Sequence, residues 1–139
     1  MSDKPLVHKI DHIAIATTSI AEAARFYTEG LGLTISAVEE VPSQKVRVAF
    51  LRVGDVKLEL MEPTAPDSPI QGFLDKRGPG LHHICYATDD VAAALTTVQE
   101  RGVRALDQTP RLGAHGARIA FLHPKSSGGV LSELSTPGH

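Results

Sequence analysis

Two histidines and two glutamates in this chain recur at matching places. His12 stands second in DHIAIAT (residues 11–17), and His83 stands second in HHICYAT (82–88), 71 residues later. Glu59 lies inside KLELMEP (57–63) and Glu133 inside LSELSTP (131–137), 74 residues later. Imidazole nitrogen and carboxylate oxygen bind divalent metal ions at about 2.0 to 2.2 Å. Two donors of each kind suit a divalent cation that keeps open positions for water or an incoming oxygen. A lone histidine in a strand is ordinarily a hydrogen-bonded structural residue. A mid-strand glutamate is harder to dismiss, because glutamate is depleted in strands and costly to bury without a partner. It is the recurrence of both types in both places that favours a metal.

The recurrence extends beyond these four residues and points to a repeated unit. RVAFL (47–51) answers RIAFL (118–122) at the same 71-residue offset, and the three extra residues between the glutamates fall in the turn HPKSSGG. Three echoes in one order mark a duplication. Each copy opens with a β-rich run. In the first, Ser19 and Glu22 form a capping-box pattern before the stripe Ile20, Ala23, Ala24 and Tyr27, with Gly30 as the stop. In the second, Asp89 or Asp90 caps the stripe Val91, Ala94, Leu95 and Val98, with Gly102 as the stop. Three β-rich segments follow each helix, at about 34–41, 46–53 and 56–62, then at about 104–108, 117–122 and 129–135.

The expected fold is therefore α+β: two tandem βαβββ modules, at about 8–63 and 81–137, forming a cup-shaped mixed sheet with helices on the outer face. A Pro/Gly-rich connector at about 64–80 joins them, with a short helix opened by Ser68-Pro69 and closed by Gly78. A module of this size alone leaves a sheet face uncovered, so one domain with pseudo-twofold symmetry is expected.

Alternation along a strand puts His12, Ala14 and Ala16 on one face and Ile13 and Ile15 on the other. His83, Cys85 and Ala87 repeat this against Ile84 and Tyr86. The branched apolar face is the one a helix covers, which leaves each histidine among small residues with room for a ligand. Leu58 and Leu60 set Glu59 on the histidine face, and the repeat gives Glu133 the same direction. A pseudo-twofold axis would bring His12, Glu59, His83 and Glu133 to one ion from four strands, since neighbouring strands lie about 4.8 Å apart and same-face residues of one strand about 6.6 Å. His82 and Cys85 read as packing residues, and His8 and His139 as solvated.

Composition removes several classes of function. The chain has 139 residues, 42% of them hydrophobic, and 14 Lys/Arg against 16 Asp/Glu without like-charge runs, which gives nucleic acid or an acidic membrane surface nothing to grip. Small molecules or proteins remain as partners. With Cys85 as the single cysteine, no internal disulfide forms and a reducing compartment is expected. No apolar run approaches membrane-spanning length and the N-terminal residues lack a signal-type apolar region, so the expected location is cytoplasmic.

The motifs VRVAFLRVGDVKLELMEP, DSPI, GLHHI, PRLGAHG and FLHPKSSGGVLSEL, carried on a duplicated βαβββ unit, resemble the vicinal oxygen chelate superfamily and, over nearly the whole chain, its methylmalonyl-CoA epimerase branch. GAHG and HPKSSGGV carry the branch, while the two His and two Glu are shared with glyoxalase I. The resemblance implies interconversion of (R)- and (S)-methylmalonyl-CoA by moving the proton at C2. It implies a divalent ion on His12, Glu59, His83 and Glu133, with Co2+ first and Mn2+, Ni2+, Zn2+ or Mg2+ after it, and pairing into a homodimer. It makes Glu133 the first catalytic base. Some family members carry Glu at the position of Val48 and Gln at that of Glu59; this chain departs from that pattern, and Glu59 is expected to act as ligand and as opposing catalytic base. Gln44, His115, Lys125 and Ser126 are candidate contacts of the acyl-CoA substrate, and Lys76, Arg77 and Arg111 of its phosphates. Two rivals share the fold: a glyoxalase I type lactoylglutathione lyase using the same four residues, and a metal-free ligand-binding module.

Overall fold

The computed structural model describes residues 5–137, so His139 lies outside the described residues. The backbone divides into two compact units, one of residues 12–82 and the other from His83 onward together with the N-terminal segment up to Asp11. The strands and helices of the first half of the chain are β1 (Lys9–Ala16), α1 (Ile20–Arg25), β2 (Ile35–Val41), β3 (Val46–Val53), β4 (Val56–Pro63) and the connector helix α2 (Pro69–Arg77). Those of the second half are β5 (Gly80–Ala87), α3 (Val91–Glu100), β6 (Arg111–Leu112), β7 (Arg118–Leu122) and β8 (Leu131–Thr136). The first four strands run in the order β2-β3-β4-β1, with β1 parallel to β4 and the other neighbours antiparallel. The last four run β6-β7-β8-β5, with β5 parallel to β8 and the rest antiparallel. The mixed βαβββ pattern read from the sequence is thus present twice.

Local chemistry accounts for the helix starts. Ser19 Oγ accepts from the Glu22 N–H at 3.3 Å, Asp90 Oδ1 from Ala93 N–H at 3.2 Å and Ser68 Oγ from Ile70 N–H at 3.2 Å, each filling a donor that the first turn leaves unpaired. Pro69 follows Ser68 with its φ already set for a helix, and Gly78 closes α2 at φ +74, donating to Leu74 O at 2.8 Å. Gly30 is the last residue of the helical run, as expected, although α1 is regular only as far as Arg25. The chain widens there into a π-helical turn, Phe26–Gly30, and leaves it through Gly32 at φ +77. Thr28 Oγ1 donates to Ala24 O at 3.0 Å and Leu31 N–H donates to Phe26 O at 3.0 Å, a five-residue step that loosens the last turn.

In the first unit, α1 buries Ile20 and Ala24 against Ala49, Leu51 and Leu60, with Ile15 beside them. The opposite face is not open as the alternation suggested. α2 lays Ile70 and Leu74 on it, against Ala14, Ala16, Val46, Val48, Phe50 and Met61. The small residues beyond His12 therefore make room for a helix, and Ala14 and Ala16 are wholly buried.

In the second unit, α3 packs Val91, Ala94 and Leu95 against Ala120 and Leu134, with Val7 of the N-terminal segment alongside. That segment is tied down by His8 N–H to Ala87 O at 3.0 Å and Thr88 Oγ1 to Leu6 O at 2.8 Å. The strand expected over 104–108 is absent; only an isolated bridge joins Ala105 to Leu122. The amides of Leu106 and Asp107 both donate to Phe121 O, at 2.9 and 3.3 Å, while Asp107 Oδ2 accepts the Phe121 N–H at 2.8 Å. A side-chain carboxylate has taken the place of a ladder carbonyl, and regular pairing waits until Arg111–Leu112. Among the described residues, no helix is long and apolar enough to cross a membrane.

Candidate functional site

The register of each parallel pair sets a histidine diagonally beside a glutamate. β1 places Ala14 opposite Glu59 on β4, so His12, two residues earlier, shares the face of that carboxylate. His12 Nδ1 and Glu59 Oε2 are 3.2 Å apart, with side chains 11% and 12% exposed. β5 places Cys85 opposite Glu133 on β8 in the same way. His83 Nε2 and Glu133 Oε1 are 3.0 Å apart, with side chains 8% and 5% exposed. On the other side of each carboxylate an antiparallel strand places a phenylalanine, Phe50 opposite Glu59 and Phe121 opposite Glu133. The His83 ring meets Phe121 edge to face, with centroids 5.3 Å apart and planes at 84°.

Whether such a pair fits a metal can be judged inside each unit. With bonds of about 2.1 Å, adjacent ligands of an octahedral ion lie about 3.0 Å apart and those of a tetrahedral ion about 3.4 Å. The observed separations of 3.2 and 3.0 Å fall in that range. Burial also penalises an ionised carboxylate, and a divalent cation offsets that penalty directly. Each pair therefore fits two adjacent positions on a divalent ion. Val48 shares the face of Phe50 and Glu59 but is 4% exposed and packed in the α2 core.

The other sequence candidates stand on turns. Gln44 is exposed in the turn after β2; its amide donates to Val41 O at 3.0 Å and its carbonyl accepts from Ser68 Oγ at 3.3 Å. His115 is exposed in the turn Ala114–Gly116 with a left-handed backbone, φ 57. Lys125 and Ser126 are exposed in the turn Pro124–Ser127, where Lys125 N–H donates to His123 Nδ1 at 3.0 Å and Ser126 N–H to His123 O at 3.0 Å. Ser126 Oγ accepts from Arg104 N–H at 2.9 Å, so that hydroxyl already ties two loops together. Lys76 and Arg77 are exposed at the end of α2, with Arg77 over the Phe73 ring at 5.9 Å and His82 against the same ring at 4.9 Å. Cys85 is fully buried, and His8 is half-exposed, 3.4 Å from Asp89.

Charge is distributed differently around the two pairs. In the first unit Arg47 reaches Glu40 at 2.9 Å and Glu62 at 2.7 Å, and Glu62 also accepts the Ile20 N–H at 2.6 Å. Glu40 first, then Glu62, hold the Arg47 pKa above its ordinary value. In the second unit the matching donor, Val91 N–H, goes to the neutral Thr136 Oγ1 at 2.9 Å. Sequence reading passed over Phe121 and Asp107. The RVAFL and RIAFL echo carried a signal for Phe121, whereas the role of Asp107 follows from a strand that does not form.

The sequence matches the model of the glyoxalase/bleomycin resistance protein/dioxygenase superfamily over residues 11–121. It is 42% identical over 127 residues to the mitochondrial methylmalonyl-CoA epimerase of Homo sapiens, covering 91% of this chain and 72% of that one. It is 40% identical over 131 residues to the ethylmalonyl-CoA/methylmalonyl-CoA epimerase of Cereibacter sphaeroides, covering 93% and 98%. A solved variant of Streptomyces coelicolor methylmalonyl-CoA epimerase in complex with 2-nitronate-propionyl-CoA matches with a TM-score of 0.89 and 40% identity, covering 95% and 96%.

Proposed function

Because the chain belongs to the glyoxalase/bleomycin resistance protein/dioxygenase superfamily, we propose that it acts within it as an epimerase of methylmalonyl-CoA, interconverting the (R) and (S) forms. The observation that carries this reading is the doubled, buried His–Glu pair at one strand register, in a chain 40% identical to an epimerase over 93% of its length. GAHG and HPKSSGG count against the glyoxalase I reading.

We assign His12, Glu59, His83 and Glu133 to a single divalent cation. Support comes from the duplicated register, from separations within each pair that suit adjacent ligands, and from the family resemblance. When bound, the ion supplies Lewis-acid stabilisation of the negative charge that leaves C2 and settles on the thioester oxygen. Co2+ heads the proposed ions by resemblance, ahead of Mn2+, Ni2+, Zn2+ and Mg2+, since an N2O2 donor set sorts these weakly.

Inversion at C2 needs a proton removed from one side and returned on the other. Glu133 is assigned the removal and Glu59 the return, one carboxylate from each module. Low exposure of both keeps bulk water from competing for the proton, and the adjacent imidazoles orient the carboxylates. The nitronate in the ligand of the Streptomyces relative is planar at its C2, as a deprotonated malonyl carbon is. We further infer a cytoplasmic homodimer serving propionate metabolism, on the resemblance and the lone buried cysteine.

The test is incubation of the metal-loaded protein with methylmalonyl-CoA in deuterated water. Exchange at C2 accompanied by epimerisation is expected. Turnover of a hemithioacetal without C2 exchange would overturn the reading in favour of the lyase, and purified protein with no bound ion and no affinity for one would favour the metal-free binding module.

A further inference from the structure

In the second unit the Arg111 guanidinium is held on the Phe121 ring, the ring that also meets His83, with only one of its five N–H donors directed at a partner. Arg111 Nε lies 3.2 Å from Asp107 Oδ1, and its guanidinium carbon lies 5.4 Å from the centre of the Phe121 ring. That ring touches His83, and Phe121 stands opposite Glu133 in the β7–β8 ladder. Asp107 is itself fixed by the Phe121 N–H at 2.8 Å. One edge and one face of the guanidinium are thus anchored. Among the described residues its two terminal nitrogens have no hydrogen-bond or ion-pair partner, and the side chain is 45% exposed. A guanidinium fork oriented beforehand in this way suits bidentate capture of a carboxylate or phosphate.

The first unit has no counterpart. Arg111 stands opposite Ile119, and Val48, the repeat counterpart of Ile119, stands opposite Glu39, while the fork of the neighbouring Arg47 is consumed by Glu40 and Glu62. The repeat therefore carries opposite charges at matched positions. Methylmalonyl-CoA is asymmetric about C2, with a carboxylate on one side and a thioester leading to a long phosphate-bearing arm on the other, so a duplicated scaffold must break its symmetry to bind it in one orientation.

We propose that Arg111 is an oxyanion receptor that grips an anionic group of the acyl-CoA substrate beside the His83–Glu133 pair. The proposal rests on the epimerase reading above. It is tested by steady-state epimerisation with wild type, Arg111→Ala and Arg111→Lys, on methylmalonyl-CoA and on methylmalonyl-pantetheine, which carries no phosphate. Arg111→Ala should raise KM for methylmalonyl-CoA about 10- to 100-fold, with metal content and melting temperature unchanged. Arg111→Lys, which keeps the charge but not the fork, should recover only part of the loss. Equal losses on both thioesters assign the carboxylate, and a loss confined to the CoA substrate assigns the phosphates. Unchanged KM and kcat for Arg111→Ala on both overturn the proposal. A wild-type protein that turns over neither thioester overturns the epimerase reading instead, and calorimetric titration of methylmalonyl-CoA into wild type and Arg111→Ala then decides on Arg111 separately, equal affinity sinking it.

Discussion

The two units keep the same donor atoms and surround them differently. Glu59 shares its face with Val48, Phe50 and Met61, all packed beneath α2. The matching positions around Glu133 are Ile119, Phe121 and Ser135, and Phe121 there is only partly buried and carries Arg111 on its ring. At the helix entry the first unit answers a backbone N–H with Glu62 and a buttressing Arg47, the second with a threonine. Duplication has preserved what a strand register alone can preserve, a histidine and a glutamate on adjacent parallel strands. The remaining positions have diverged, the first unit toward packing and the second toward polar and cationic contact. This makes the second unit the one suited to meet the charged parts of a substrate, in line with the role of principal base proposed for Glu133.

The sharpest way to break that contrast is to remove each carboxylate's proton capacity. Glu133→Gln should lower kcat for epimerisation about 100- to 10,000-fold, as expected for loss of a general base. Glu59→Gln should also slow epimerisation, yet allow C2 deuterium exchange from the one epimer whose proton Glu133 takes; proton NMR in deuterated buffer separates exchange from inversion. If Glu59→Gln keeps its metal and full epimerisation, Glu59 is not the opposing base.

The next test concerns whether the pairs act together. Elemental analysis should find one ion per chain, and His12→Ala and His83→Ala should each abolish binding if the proposed single set of four ligands holds. A chain that retains one ion after either substitution would mean that each unit binds separately. Chelation should lower the melting temperature, because a ligand bound at a thousand times its Kd stabilises the fold by about 4 kcal/mol.

Smaller effects probe the helix entries. Glu62→Gln should destabilise by about 1–3 kcal/mol, having lost a charge-assisted bond, and Thr136→Val by about 1 kcal/mol. Urea denaturation compares them, and an equal cost would show that Arg47 adds nothing to the first entry.

The smallest effect is confined to the first unit. Lys45 pairs with Asp67 and, through its hydrogen bond first, holds the Asp67 carboxyl below its ordinary value of 3.8. A lowered carboxyl pKa contributes stability above the unfolded value and loses it as pH falls through the folded one. Asp67→Asn should therefore cost little near neutrality, and its difference from wild type should vanish on acidification below the usual carboxylate range, as read by denaturation at both pH values.

Much of this was legible in the sequence. Ser19, Ser68 and Asp90 announced helices because a cap is a bond within three residues. His12, His83, Glu59 and Glu133 announced their faces because strand alternation has a period of two and the duplication gave two independent readings of it. Gly30 marked where the helical run stops but not that its last turn widens, where Thr28 reaches back to Ala24. The 104–108 segment misled because Asp107 competes for a strand's backbone donor, and nothing local distinguishes a carboxylate that does so from one in solvent.

Taken alone, the sequence determined the duplication, the kinds of element and the side chains that share a face, since all three depend on spacing along the chain. Tertiary structure alone decided that α2 covers the histidine face of the first unit, that Asp107 displaces a strand, and that Arg111 comes to rest on Phe121 beside His83. Those outcomes depend on which surfaces fill which gaps between segments remote in sequence, and no local period encodes that.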